Sequence, residues 1–186
     1  MPIPDFDFIS NVLPPHLGNP TNMAGLSPYR CTTAELVDKL AFSQPRVTIL
    51  EGFLRLRQEL RTLGINGFQW LDGSFSEDIE TQANRDPGDI DVVTFVAKSH
   101  SVSQVDSIKA AHTDLFQKAL VKHAFHVDHF VVPLASEPGL LVELTRYWCG
   151  LFSHRKGDGI WKGMLRVELD ITADDHAAWQ VLGSKP

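Results

Sequence analysis

A change of hydrophobic period at Gly64 narrows the possible folds of this sequence more than any other feature. Before it, Ile49, Phe53, Leu56, Leu60 and Leu63 recur at steps of four and three, which is one face of a helix. That helix follows Ser43, carries Pro45 in its first turn, and has Arg55, Arg57, Glu59 and Arg61 on its other side. Gly64 is a suitable stop. After it come short runs rich in β-branched and aromatic residues, at 67–72, 89–96, 126–134 and 164–171, which read as strands. Helical segments separate them, from 102 to about 123 and from 140 to about 152. An earlier helix opens at Thr32, with Glu35 three residues on as a capping box. Thr172, followed by Asp175, caps a short closing helix. Alternating helices and strands predict an α/β or α+β domain with a mostly covered sheet.

Residues 1–31 read differently. Pro2, Pro4, Pro14, Pro15, Pro20 and Pro28 block helix interiors and central strands alike. Phe6, Phe8, Ile9, Val12 and Leu13 predict that this irregular arm packs on the domain formed by residues 32–186. A chain of 186 residues is one domain and buries enough surface to fold without a disulfide or metal staple. Cys31 and Cys149 show no CxxC spacing and are expected as buried or free thiols. Seventeen Lys and Arg stand against 23 Asp and Glu, a net charge of -6. This excludes coating of nucleic acid through bulk charge and leaves room for a local phosphate site. MPIPDFDF has neither the basic nor the apolar region of a signal peptide, and no apolar run is long enough to span a bilayer. The expectation is a soluble, cytoplasmic protein with no membrane partner.

The chemistry concentrates between Asp72 and Asp91, in DGSFSEDIETQANRDPGDID. Asp89 and Asp91 are two apart on a strand and share a face. Adjacent carboxylates repel unless something positive lies between them, and a hard divalent cation suits oxygen ligands. Gly73 allows close backbone approach, and Ser74 offers a hydroxyl and an amide to a phosphate oxygen. Asp128 adds a third carboxylate inside an apolar strand, where an acid needs a partner. Asp-Ile-Asp alone equally suits a turn and cap; combined with Gly-Ser and Asp128 it points to two-metal phosphoryl transfer.

Strand, Gly-Ser, loop, Asp-x-Asp, helix and a strand with Asp resembles the minimal nucleotidyltransferase superfamily of DNA polymerase β type. It also resembles an uncharacterised bacterial group of small nucleotidyltransferase-like proteins. The resemblance is carried by LPP at 13–15, SPYR at 27–30, QWLDGSF at 69–75, PGDIDVV at 87–93 and KGMLRVEL at 162–169. It implies a mixed sheet flanked by helices and an NTP, ATP first, bound with Mg²⁺ or Mn²⁺. By motif position Asp89 and Asp91 would hold the metals and Gly73 and Ser74 the triphosphate. Asp128 would be the third catalytic and metal-binding carboxylate. Fourteen residues lie between Ser74 and Asp89, more than the superfamily's usual spacer.

Arg30, Arg85, Arg155, Lys156 and Lys162 are the basic residues that could meet phosphates, with Arg85 and Lys162 the chosen nucleotide contacts. The segment 154–162 (HRKGDGIWK) suits a phosphate or acceptor contact, but a solvated hairpin turn is the favoured reading. Glu168 and Asp170 share a strand face and are expected to meet solvent or Arg166. His126 would share a face with Asp128 while His129 points away, so His123, His126 and His129 cannot ligate one ion. The four tryptophans are expected in packing, and Trp161 could stack on a base. Two functions compete: nucleotidyl transfer to a hydroxyl on protein, RNA or a small molecule, and an inactive nucleotide- or partner-binding module, such as a toxin–antitoxin or defence-system component. Metal-dependent phosphodiester hydrolysis ranks behind both.

Overall fold

The computed structural model describes residues 3–185, so Pro2 and the chain's two ends lie outside the described residues. Helices begin where the sequence supplies caps. Thr32 and Glu35 form the reciprocal capping box of α1 (Thr33–Leu40). Pro45 lies in the first turn of α2 (Gln44–Thr62), although Ser43 makes no side-chain cap. The strands are β1 (Tyr29–Arg30), β2 (Gly67–Asp72), β3 (Ile90–Val96), β4 (Val127–Pro133) and β5 (Leu165–Glu168). They form one sheet in the order β1-β5-β2-β3-β4. β1–β5 and β3–β4 are parallel, and the other two pairings antiparallel. The remaining helices are α3 (Ile79–Ala83), α4 (Val102–Ala111), α5 (Thr113–Phe116), α6 (Lys118–Phe125), α7 (Pro138–Phe152) and α8 (Thr172–Leu182). The architecture is the expected one, a mixed sheet flanked by helices.

Strand alternation gives the sheet two distinct faces. On one, Leu71, Val92, Val127 and Val167 join Leu36, Phe53, Leu60, Val121 and Leu182 from the surrounding helices in the main core. On the other, Trp70, Val93, Phe95 and Val132 pack under Trp148 and Phe152 of α7. The Phe130 and Trp148 ring centroids are 4.7 Å apart. Each such buried side chain contributes about 1.5–3 kcal/mol.

Several elements depart from the sequence expectation, each for a physical reason. The helix predicted over 102 to 123 is broken at His112 and Gln117 into α4, α5 and α6. On one straight helix Val105 and Val121 would lie roughly 160° apart; the breaks let both face the core. His126 is not a strand residue. It closes α6 with a left-handed backbone, φ 56°, and so does not share a strand face with Asp128. β5 is shorter than predicted, and Asp170 lies beyond it, accepting from the Gly67 amide at 2.6 Å. Glu168 does pair with Arg166, at 2.9 Å. Thr172 is not a cap: Ile171 holds that position, and Asp175 turns inward to Arg57, Arg61 and Thr33. Arg57, placed by its spacing on the outer side of α2, is therefore fully buried.

The arm packs as expected at Val12 and Leu13, and Tyr29 and Arg30 enter the sheet as its edge. Phe8 and Ile9 are exposed instead, at the tip of a turn tied by the Asp7 carboxylate. Cys31 and Cys149 are free, partly buried thiols. Trp70 and Trp148 are core residues, and Trp161 is half exposed beside His16. Among the described residues no helix is long and apolar enough to cross a membrane.

A directed polar chain crosses the main core. Arg57 donates to Gln69 Oε1 at 2.6 Å, and Gln69 Nε2 donates to Thr94 Oγ1 at 2.9 Å. Thr94 Oγ1 lies 2.8 Å from His129 Nε2, and His129 Nδ1 lies 3.2 Å from the Leu115 carbonyl. The carbonyl can only accept, so Nδ1 carries the proton and Nε2 accepts from Thr94. Burial pushes the imidazole down to about 4. Between that value and its ordinary 6.5, the unfolded chain binds a proton at His129 that the folded chain refuses. Stability should therefore fall as pH drops through this window, by up to about 3 kcal/mol. Melting curves of wild type and His129→Gln between pH 7 and pH 4 test this. The variant should lose less stability over the window, and identical slopes would overturn the assignment.

Candidate functional site

Strand register builds the site. Asp72 ends β2, Asp91 is second in β3 and Asp128 second in β4. Asp72 is the register partner of Asp91, and Asp91 that of Asp128. Register partners on adjacent strands point to the same face, so three aspartates form a row at one end of the α7 side. The next row on that face is Trp70, Val93 and Phe130, and the one after it Phe68, Phe95 and Val132. The acidic row is where this apolar face stops. A cleft of about 850 Å³ opens over it, lined also by Gly73, Ser74, Arg85, Asp89, Tyr147 and Lys156.

Gly73 turns the chain out of β2 with φ 86°, in the region that favours glycine. A Cβ there would run into the Asp91 carboxylate. The turn continues as a single 3₁₀ turn, Ser74–Ser76. Two buried cations hold it from behind. Lys162, 2% exposed, donates to the Gly73 carbonyl at 2.9 Å and Glu77 at 2.6 Å, and lies 3.2 Å from Asp72. Its donors are thus engaged in bracing the turn. Arg46 of α2 donates to the Phe75 carbonyl at 2.8 Å, the Glu77 carbonyl at 2.6 Å, and Glu80 at 2.7 and 2.9 Å. Its guanidinium lies over the rings of Phe42 and Phe75.

The arm laces the two walls together. Val12 bridges Glu77, the Asn11 carbonyl accepts from Asp78 at 2.8 Å, and the Leu13 carbonyl accepts from Gly163 at 2.7 Å. Arg155 donates to the Ser10 carbonyl and pairs with Asp158. The 154–162 segment is a hairpin-like turn with His154 bridging Trp161. It is less solvated than a free turn would be, since both Arg155 and Lys162 are buried.

Electrostatics distinguish the acids. Asp91 is raised to about 6 by burial, reinforced by the charges of Asp89 and Asp128. Asp72 is pushed up to about 7 by burial, against the pull of Lys162. Asp128 Oδ2 lies 2.7 Å from Lys118, whereas its Oδ1 is buried with no hydrogen-bond partner among the described residues. Asp89 pairs with Lys122, and this contact raises the Lys122 ammonium above its ordinary value.

The structure thus brings Gly73, Ser74, Arg85, Asp89, Asp91, Asp128 and Lys162 to one cleft. Arg85 is exposed and, among the described residues, bonds only the Asp86 carbonyl, at 3.1 Å. Arg30, on the edge strand, is not part of the lining. Sequence reasoning missed Asp72, Lys118, Lys122, Glu77 and Arg46. Asp72 was detectable as the acid directly before Gly-Ser, and Lys118 and Lys122 as an i,i+4 pair just ahead of the Asp128 strand.

The residues fit a divalent cation in three respects. The donors are hard oxygens, Asp128 keeps an orphaned buried oxygen, and the Gly73 turn leaves room that any side chain would fill. Among the described residues, though, no three His, Cys, Asp or Glu side chains already converge as a set able to hold a metal ion. Lys122 and Lys118 hold two of the acids.

Fold and cleft together define a mixed α+β domain with a carboxylate-floored pocket. The chain belongs to DUF6932, a family of unknown function, whose model matches residues 4–168 and so contains every residue of the cleft. No curated protein and no solved structure matches it.

Proposed function

We propose that the cleft binds a nucleoside triphosphate, ATP first, with Mg²⁺ or Mn²⁺, and transfers its nucleoside monophosphate to a hydroxyl on a protein, RNA or small molecule. The observation that carries this reading is the register-matched row of Asp72, Asp91 and Asp128 abutting the Gly73–Ser74 turn. Asp89, Asp91 and Asp128 would hold the cation, which when bound supplies charge neutralisation for the phosphates and lowers the barrier to attack. The chain's own residues bind and orient. The Ser74 amide and hydroxyl meet phosphate oxygens, with Lys162 fixing the turn that presents them. Arg85 approaches the phosphates from the rim. The Asp128 carboxylate, besides holding the cation, accepts from the acceptor hydroxyl and aims its oxygen. The acceptor oxygen bonds to the α-phosphorus as the α–β phosphoanhydride bond breaks, the hydroxyl proton passes to the Asp128 carboxylate, and pyrophosphate departs with the bridging oxygen. The setting we propose is the cytoplasm.

Incubation of the purified chain with α-labelled NTPs, Mg²⁺ or Mn²⁺ and cell lysate tests the reaction. Label should transfer with wild type and not with Asp89→Ala/Asp91→Ala; equal labelling by both would end the catalytic reading. The lysine pairings on Asp89 and Asp128 favour a second reading, an inactive nucleotide- or partner-binding module of a toxin–antitoxin or defence system. Calorimetric NTP binding without any turnover would select it.

A further inference from the structure

Lys118, the first residue of α6, and Lys122, in its last turn, are four residues apart, so they project from the same side of the helix. Lys118 Nζ lies 2.7 Å from Asp128 Oδ2, and Lys122 Nζ pairs with Asp89 Oδ2. Their side chains remain 62% and 51% exposed, unlike those of Lys162 and Arg46, which are buried with their donors committed. The acids and their turn thus meet two kinds of cation: Lys162 and Arg46 are fixed behind the Gly73 turn, whereas Lys118 and Lys122 reach Asp128 and Asp89 from solvent on flexible stems. The acids they meet are largely covered, at 10% and 18% exposure, but each lysine can withdraw into solvent without leaving its own charge buried.

They also leave the acids of the cleft incompletely matched. Asp89, Asp91 and Asp128 carry three negative charges against two ammoniums. Among the described residues Asp91 has no ion-pair partner, and Asp128, which lines the cleft, keeps a buried and unpartnered Oδ1. A compact dication would satisfy oxygens that the lysines do not reach, and each lysine it displaced would remain at the rim with its charge unmatched.

We propose that Lys118 and Lys122 are exchangeable counter-ions: they hold Asp128 and Asp89 when no divalent cation is bound, yield those oxygens to it, and then contact the anionic phosphates entering the cleft. This rests on the reading of the carboxylate row as a cation site.

The test is calorimetric and uses the full chain. Mn²⁺ alone is titrated into wild type and into Lys118→Gln/Lys122→Gln. The non-cleavable analogue α,β-methylene-ATP is then titrated into each at saturating Mn²⁺. Both side chains are more than half exposed, so the variant should fold, and its melting curve checks this. Removing the competing ammoniums should tighten Mn²⁺ binding about tenfold and weaken analogue binding about tenfold. Mn²⁺ binding that is equal in the two proteins, or weaker in the variant, overturns the counter-ion role and leaves the cation site standing. Tighter Mn²⁺ with unchanged analogue affinity overturns the phosphate contact. Absence of Mn²⁺ binding to either protein overturns the cation site itself, and the proposed function with it.

Discussion

Asp91→Asn should reduce NTP-dependent transfer by about 10³-fold and, at the same time, make the folded chain more stable. Asp91 lies between Asp72 and Asp128 in the row, and burial with the charges of Asp89 and Asp128 holds its carboxyl near 6. At pH 7 the folded protein therefore carries a charge that the unfolded chain carries more easily. The amide has nearly the same shape and no charge, so the substitution should stabilise by about 1–3 kcal/mol. In a chain of this size that raises Tm by roughly 2–10 °C. The sign reverses the usual acid behaviour. Between about 6 and 3.8 the folded state binds the extra proton, so wild-type stability from this group improves as pH falls, and the advantage of Asn should fade across that window. Melting curves at pH 7.5 and pH 4 read both effects. An Asn variant less stable than wild type at pH 7.5 would mean that Asp91 is satisfied by the fold and is not poised for a ligand.

Asp175→Ala has the opposite profile, with the largest loss of stability expected and no direct contact with the cleft. The Asp175 oxygens accept from Arg57 Nε at 3.0 Å each, from Arg61 at 2.5 Å and from Thr33 at 2.8 Å. Removing the carboxylate leaves the Arg57 guanidinium buried and uncompensated, which typically costs about 3–5 kcal/mol, or a Tm lower by roughly 10 °C. The double variant Arg57→Met/Asp175→Ala removes both charges and should recover much of that loss. Urea unfolding of the two single variants and the double variant measures the coupling. A single variant within about 1 kcal/mol of wild type would show that the pair is no more than an exposed surface pair.

Local rules made much of the molecule legible. The period change at Gly64, the Thr32–Glu35 box and the β-branched runs located most of the strands and helices, because each depends on neighbours in sequence. Asp89, Asp91, Asp128 and the Gly73–Ser74 turn came from spacing, and the structure brings them to one cleft. Long-range partners were invisible. Arg57 reads as the polar side of α2 and Arg46 carries no signal, because the acids that draw them inward, Asp175 and Glu80, lie 118 and 34 residues away. The breaks at His112 and Gln117 follow from which apolar residues the sheet can cover, which no window of the sequence contains. Lys118 and Lys122 resemble ordinary solubilising lysines until the register of β4 places Asp128 beneath them.

The lacing of the arm has a consequence for the order of assembly. Residues 10–13 are made first, yet their partners at Arg155 and Gly163 arrive about 150 residues later, and β1 likewise waits for β5. Such distant closures come late, after the local hairpin of β2 with β3 and the helices around it have formed. The carboxylate row can therefore be in place before the cleft above it has walls. A walled site thus exists only once residues 10–13 have met Arg155 and Gly163.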